Sequence, residues 1–237
     1  MIKLAIWCAI AGIAIASSSA SAAAPSAPAP ASKYPERAPL SDYLIQSEAA
    51  EIALARSAAP ASVADQADAM VLDASGYRTA SKGTNGFVCM VWRSWSNDLG
   101  DSEFWNPKVR APICLNPVAV RTVLPGYLQT TQWVLAGLGV ADIRARVVAA
   151  VAKGEWQVPA AGAMSYMMSR QGHLSDTIGH ASPHIMFFVP RADRQDWGAN
   201  LPQSPIWGLD GEDPDPSGLF GISVANWSDG TSAAMTH

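Results

Sequence analysis

The sequence predicts an α+β domain: a mostly antiparallel sheet with three or four helices packed on one face, held by one disulfide. Three observations predict it. Strand-like stretches come first, a block of helices follows, and strands return in the last third. A short apolar run opens the chain and reads as a leader for export. Once that leader is removed two cysteines remain, Cys89 and Cys114, and an oxidising compartment joins such a pair.

The leader has one charge, Lys3, then an unbroken run of twelve apolar and small residues at 4–15. Ala20-Ser21-Ala22 fits the small-x-small cleavage rule, which makes residues 1–22 a signal peptide. Twelve residues are too few to span a bilayer, which takes about 20. Cys8 lies too early to become a lipidated first residue. The expectation is a periplasmic or extracellular protein with no membrane span after cleavage. Residues 23–40 are mainly Ala, Pro and Ser. Such a stretch buries too little to offset its ordering entropy, so a disordered tether is expected, with a single α+β domain over 41–237.

Cleavage leaves 215 residues of the 237, with 15 basic against 20 acidic groups. That length suits one domain able to bury its own core. No basic patch is present, so nucleic acid is not an expected partner. The remaining partners are a cell-envelope component or a small-molecule ligand.

Order is expected from Ser41 as a helix cap, with Leu44, Ile45, Ala49 and Ile52 at helical spacing and Pro60 as the stop. Residues 69–95 read as a three-stranded meander. Ala74-Ser75-Gly76 makes the first turn and Asn85-Gly86 the second, and Phe87 to Trp92 is the clearest strand. A loop over 96–112 carries Phe104 and Trp105. Asn116-Pro117 is a capped helix start. Pro125 breaks that helix, a second covers 126–138, and a third runs over 142–153 to Gly154. Strands are expected at 163–169, 184–189 and 222–227.

The cysteine loop has 24 residues between its ends, and closing it stabilises the fold by about 3 kcal/mol in the chain-entropy view. Cys89 sits in an apolar strand, the wrong setting for a reactive thiol.

Several segments taken together, Asn85-Gly86-Phe87-Val88-Cys89, Phe104-Trp105-Asn106-Pro107, Ala111-Pro112-Ile113-Cys114, Met164-Ser165-Tyr166-Met167-Met168, Pro183-His184-Ile185-Met186-Phe187-Phe188 and Trp197-Gly198-Ala199-Asn200-Leu201, resemble a group of exported bacterial proteins described only as hypothetical. The resemblance implies a self-contained exported domain and carries no activity or site residue with it.

Candidate chemistry starts from the histidines. His173, His180 and His184 fall within twelve residues, with Asp176, Asp193 and Asp196 near in sequence. Imidazole and carboxylate together bind zinc or relay protons. The spacing does not require them to meet, because Pro183 prevents a helical turn from linking His180 to His184. Met164, Met167, Met168 and Met186 are soft copper ligands in principle and core fillers in practice. Asp210 to Asp215 is an acidic loop without calcium-loop spacing. No serine-nucleophile elbow or phosphate-cradling motif occurs. Of the eight tryptophans left after cleavage, Trp95, Trp105, Trp197 and Trp207 fall in or beside loops as candidate stacking platforms. Trp133 and Trp156 are expected in the core.

The leading expectation is a non-catalytic binding or envelope-associated module. The alternative is a metal-assisted hydrolase in which His180 and His184 hold zinc with one of the three aspartates.

Overall fold

A computed structural model describes residues 32–191, 194–210 and 215–233. The elements in chain order are α1 (Glu48–Arg56), α2 (Ala61–Ala64), β1 (Asp68–Asp73), β2 (Gly76–Ser81), β3 (Val88–Trp92), β4 (Ala111–Leu115), α3 (Pro117–Thr122), α4 (Leu124–Leu135), α5 (Val140–Ala152), β5 (Met164–Met167), β6 (His184–Pro190), β7 (Ile206–Asp210) and β8 (Ser217–Ser223). The strands form one eight-stranded sheet in the order β2-β1-β3-β4-β5-β6-β8-β7. Every pairing is antiparallel except β1 with β3. The fold class is therefore α+β, as the order of elements predicts. No helix among the described residues is long and apolar enough to cross a membrane. The expected leader lies outside the described residues.

Among the described residues, those from Ser32 on, inside the stretch expected to be a disordered tether, contact the domain. Ser32 Oγ donates to the Ser102 carbonyl, Lys33 pairs with Asp176, and Arg37 donates to the Val134 carbonyl. Tyr34 and Ala38 pack on a core cluster around Tyr43 and Trp95. Polar and aromatic anchors interrupt the Ala/Pro composition here and give the segment something to hold.

The first α-helix starts later than Ser41 suggests. Residues 40–42 make only a 3-10 turn, and α1 is capped by Ser47, whose side chain accepts from the Ala50 N–H at 3.2 Å. Glu48 and Glu51 then fall in the first turn, where the helix dipole favours acids.

The meander expected over 69–95 is corrected. β1 and β2 do form a hairpin. β3, however, lies on the far side of β1 and runs parallel to it, with Asp68 opposite Val88. The Thr84 and Asn85 N–H groups both donate to the Gln66 carbonyl and carry the chain back to the start of β1. Burial explains the choice. β2 is half-exposed and suits an edge, whereas all five residues of β3 are buried and need neighbours on both sides.

β4 completes the centre. Pro112 makes it unexpected as a strand, because proline weakens a sheet ladder. It is tolerated because β5 pairs only with Cys114 and Leu115, leaving β4 unpaired by β5 at Pro112. Cys89 and Cys114 stand opposite each other in the β3–β4 register, with Cα atoms 4.0 Å apart, and are joined as the expected disulfide.

Alternation along β3 and β4 separates two faces. Val88, Met90, Trp92, Ala111, Ile113 and Leu115 face a cluster that α3 and α4 cover through Val118, Val123 and Tyr127. Cys89, Val91 and Cys114 face the opposite way, against Ala55, Ala58, Ala59 and Ala64. Small alanines let α1 and α2 approach the disulfide closely. Helices thus cover both faces at this end of the sheet, with α3 and α4 on one of them. α5 adds Ile143 and Val147 to the cluster around Trp95.

The helix boundaries follow local chemistry. Asn116 caps α3 by accepting from the Ala119 N–H at 2.9 Å. Pro125 sits in the first turn of α4, so it both ends α3 and starts α4. Gly154 follows α5 with φ +70, the left-handed conformation that closes a helix. In the last third, β8 occupies residues 217–223 rather than 222–227, and β7 takes the sheet edge beside it.

Candidate functional site

A cavity of about 810 Å³ opens on the face of the sheet that α4 covers. That is within the roughly 300–1,000 Å³ range of small-molecule sites. Its aromatic walls are Trp92 from the end of β3, Tyr127 from α4, Trp156 beyond α5, and Trp207 from β7. Alternation along β6 turns His184, Met186 and Phe188 towards it, and Met167 joins them from β5, directly opposite His184. Residues 95–103 and parts of 174–182 complete the lining.

The walls are held by packing and by buried polar bonds. The Trp92 and Tyr127 rings lie 4.2 Å apart between centroids. Trp156 stacks on Trp133 at 6.2 Å. Trp207 stands opposite Gly221 in the β7–β8 register, and a Cβ on Gly221 would come within 2.1 Å of the indole. Only glycine leaves room for that ring to lie against the sheet. Glu103 joins the two loops: its Oε2 accepts from the Asn106 amide at 2.6 Å and from the Asp176 N–H at 2.7 Å. Burial opposes ionisation of Glu103, but these donors and the Thr177 N–H outweigh it and hold its carboxyl below the ordinary value.

Three of the lining residues each keep one polar atom without a bond to a described residue: Trp92 Nε1, which is itself closed off from the cavity, His184 Nε2 and the Tyr127 hydroxyl. The Trp92 indole N–H is buried and makes no hydrogen bond. His184 is 5% exposed, and its Nδ1 lies 2.7 Å from the Ser182 carbonyl. A carbonyl only accepts, so the proton sits on Nδ1 and Nε2 carries the lone pair in the neutral ring. Burial pushes the His184 pKa below its ordinary value, which the Ser182 carbonyl partly opposes. The Tyr127 hydroxyl has no bond to a described residue, and burial raises its pKa well above the usual tyrosine value.

The candidate metal residues are dispersed. His173 bridges to Arg110 in the backbone, and its Nε2 lies 3.6 Å from Asp176 Oδ1. Asp176 is occupied by Lys33, by the Tyr34 hydroxyl at 2.7 Å and by Lys108 at 3.4 Å. Those partners hold its carboxyl far below the usual range. His180 directs Nδ1 at the Gly172 carbonyl, 2.7 Å away, and packs on Trp227. His184 faces the cavity instead. Asp196 is exposed on a 3-10 turn, and Asp193 lies outside the described residues. Among the described residues no three His, Cys, Asp or Glu side chains come together to hold a metal ion. A zinc site on His180 and His184 therefore has no three-ligand group there to build on.

The candidate stacking tryptophans divide. Trp95 is 1% exposed, with its indole N–H donated to Thr131 Oγ1, and Trp105 is buried edge-on against Phe104. Neither offers a surface platform, although Trp95 borders the cavity. Trp197 is 48% exposed and stacked on Phe220. Trp207 does line the cavity, with its ring edge-on to His184. Sequence reasoning missed Trp92 and Tyr127 and placed Trp156 in the core. The alternation of His184, Met186 and Phe188 along a strand was the local signal that one face of β6 shares an environment.

No family model, curated protein or solved structure matches this chain.

Proposed function

We propose that this chain is an exported binding protein that holds a small, largely apolar ligand in the aromatic cavity, without catalysing a reaction on it. The carrying observation is the cavity of about 810 Å³ walled by Trp92, Tyr127, Trp156 and Trp207. Aromatic walls supply large contact area at low entropy cost, and a few fixed polar atoms orient the guest. The leader-like residues 1–22 and the disulfide support export to the periplasm or beyond. The test uses N-phenyl-1-naphthylamine, a neutral dye that brightens in apolar surroundings. Saturable binding at one site, weakened by Ser223→Trp, which sets a bulky ring at the exposed rim of the cavity, is the expected result. Absence of saturable binding in the folded wild type contradicts the reading.

A further inference from the structure

One lining group fixes what a guest must bring. The His184 Nδ1–H is committed to the Ser182 carbonyl at 2.7 Å, so Nε2 presents a lone pair. Burial holds the His184 pKa below its ordinary value, and near neutral pH the ring stays uncharged and accepting. The residue is 5% exposed, yet Nε2 is not closed off as Trp92 Nε1 is: it opens to the cavity that His184 lines. No described residue bonds to it. Its inner surroundings are apolar. Met167 stands opposite His184 on β5, Met186 and Phe188 follow on the same face of β6, and the Trp207 ring stands edge-on with its centroid 5.3 Å away. Towards the rim, exposed Ser223 stands opposite His184 on β8. The Tyr127 hydroxyl can both give and take a hydrogen bond and so does not choose between guests; a lone pair on a neutral imidazole accepts only.

Resting on the binding-protein reading above, we infer that the cavity selects an uncharged guest with a hydrogen-bond donor, a hydroxyl or N–H on an apolar ring body, and seats that donor on His184 Nε2. A guest without a donor strips water from the acceptor and leaves it unpaired, a larger penalty than a slightly poorer fit. A charged guest would give up its hydration against Met167, Met186, Phe188 and Trp207.

Two probes of nearly the same shape test the inference on the full mature protein at neutral pH: 2-naphthol, which has a donor, and 2-methylnaphthalene, which has none. Displacement of N-phenyl-1-naphthylamine reads both affinities in wild type and in His184→Phe, so that the greater water-aversion of the methyl probe cancels in the comparison. The affinity ratio, naphthol over methylnaphthalene, is expected to fall about tenfold in the variant. Nitrogen-15 NMR gives an independent reading on the wild type. Saturating 2-naphthol is expected to move the His184 Nε2 signal upfield, the direction of hydrogen bonding to a lone-pair nitrogen, and 2-methylnaphthalene to leave it nearly in place. An unchanged ratio in the folded variant, an unmoved Nε2 signal, or failure of 2-naphthol to displace the dye overturns the inference. Should His184→Phe not fold, the wild-type signal decides alone. If N-phenyl-1-naphthylamine still binds when the inference fails, the apolar cavity stands and only the donor requirement falls. If neither probe nor dye binds, the binding-protein reading falls with it.

Discussion

Arg93 is wholly buried, and its guanidinium is committed on every side. It donates to Glu51 Oε1 at 2.8 Å, to the Tyr43 carbonyl at 2.6 Å and to the Val91 carbonyl. Glu51 is also buried and accepts from the Leu72 N–H at 3.2 Å. One ion pair thus ties α1, β1, β3 and the N-terminal segment. Removing a single partner strands a buried charge, so Arg93→Ala or Glu51→Ala is expected to cost about 3–5 kcal/mol in urea unfolding. The double change Arg93→Met, Glu51→Leu is expected to recover much of that loss. His184 makes a second prediction. Burial lowers its pKa below the ordinary 6.5, so the unfolded chain takes the proton first. Its contribution is fully present above pH 6.5 and is lost as pH falls from there towards the lower native value. The slope due to this group is at most about 1.4 kcal/mol per pH unit. Unfolding midpoints of wild type and His184→Phe at pH 7.5 and 5.5 check it, the variant lacking that component.

At the scale of elements, Asn116 joins α3 to β5. Its Oδ1 accepts from both the Ala119 and the Met164 N–H groups, and its amide donates to the Gly162 carbonyl at 2.8 Å. A simple cap is worth about 1 kcal/mol. Asn116→Ala is therefore expected to cost more than Ser47→Ala, which loses a single bond to Ala50; chemical denaturation of the two variants gives the comparison. Elements fixed by neighbours in sequence were legible: the Asn116-Pro117 start, the turn at 74–76, the apolar run of β3 and the Gly154 stop. Those fixed by distant partners were not. The position of β3 depends on which strand needs cover on both faces, and β4 carries a proline that local rules count against it. β7 and β8 carry glycines that interrupt an apolar alternation, and the fit of Trp207 against Gly221 follows no repeating pattern.

For the molecule as a whole, the Cys89–Cys114 bond joins the neighbouring interior strands β3 and β4 beneath α1. Reduction, or Cys89→Ala with Cys114→Ala, is expected to lower stability by about 3 kcal/mol in denaturant titrations with and without dithiothreitol. This feature was readable from the cysteine number together with the export leader expected at residues 1–22. The cavity was not, because Trp92, Tyr127, Trp156 and Trp207 are far apart in the chain and only the folded sheet gathers them. The histidines show the converse: close in sequence, they are turned by their own backbone contacts towards different surroundings.

The binding reading is tested most directly by methyl NMR of protein labelled at methionine. Met167 and Met186 line the cavity, whereas Met90, fully buried, does not. Saturation with N-phenyl-1-naphthylamine should shift the Met167 and Met186 methyl signals and leave Met90 nearly in place. Unmoved signals at both cavity methionines, with the dye bound elsewhere or not at all, would contradict it.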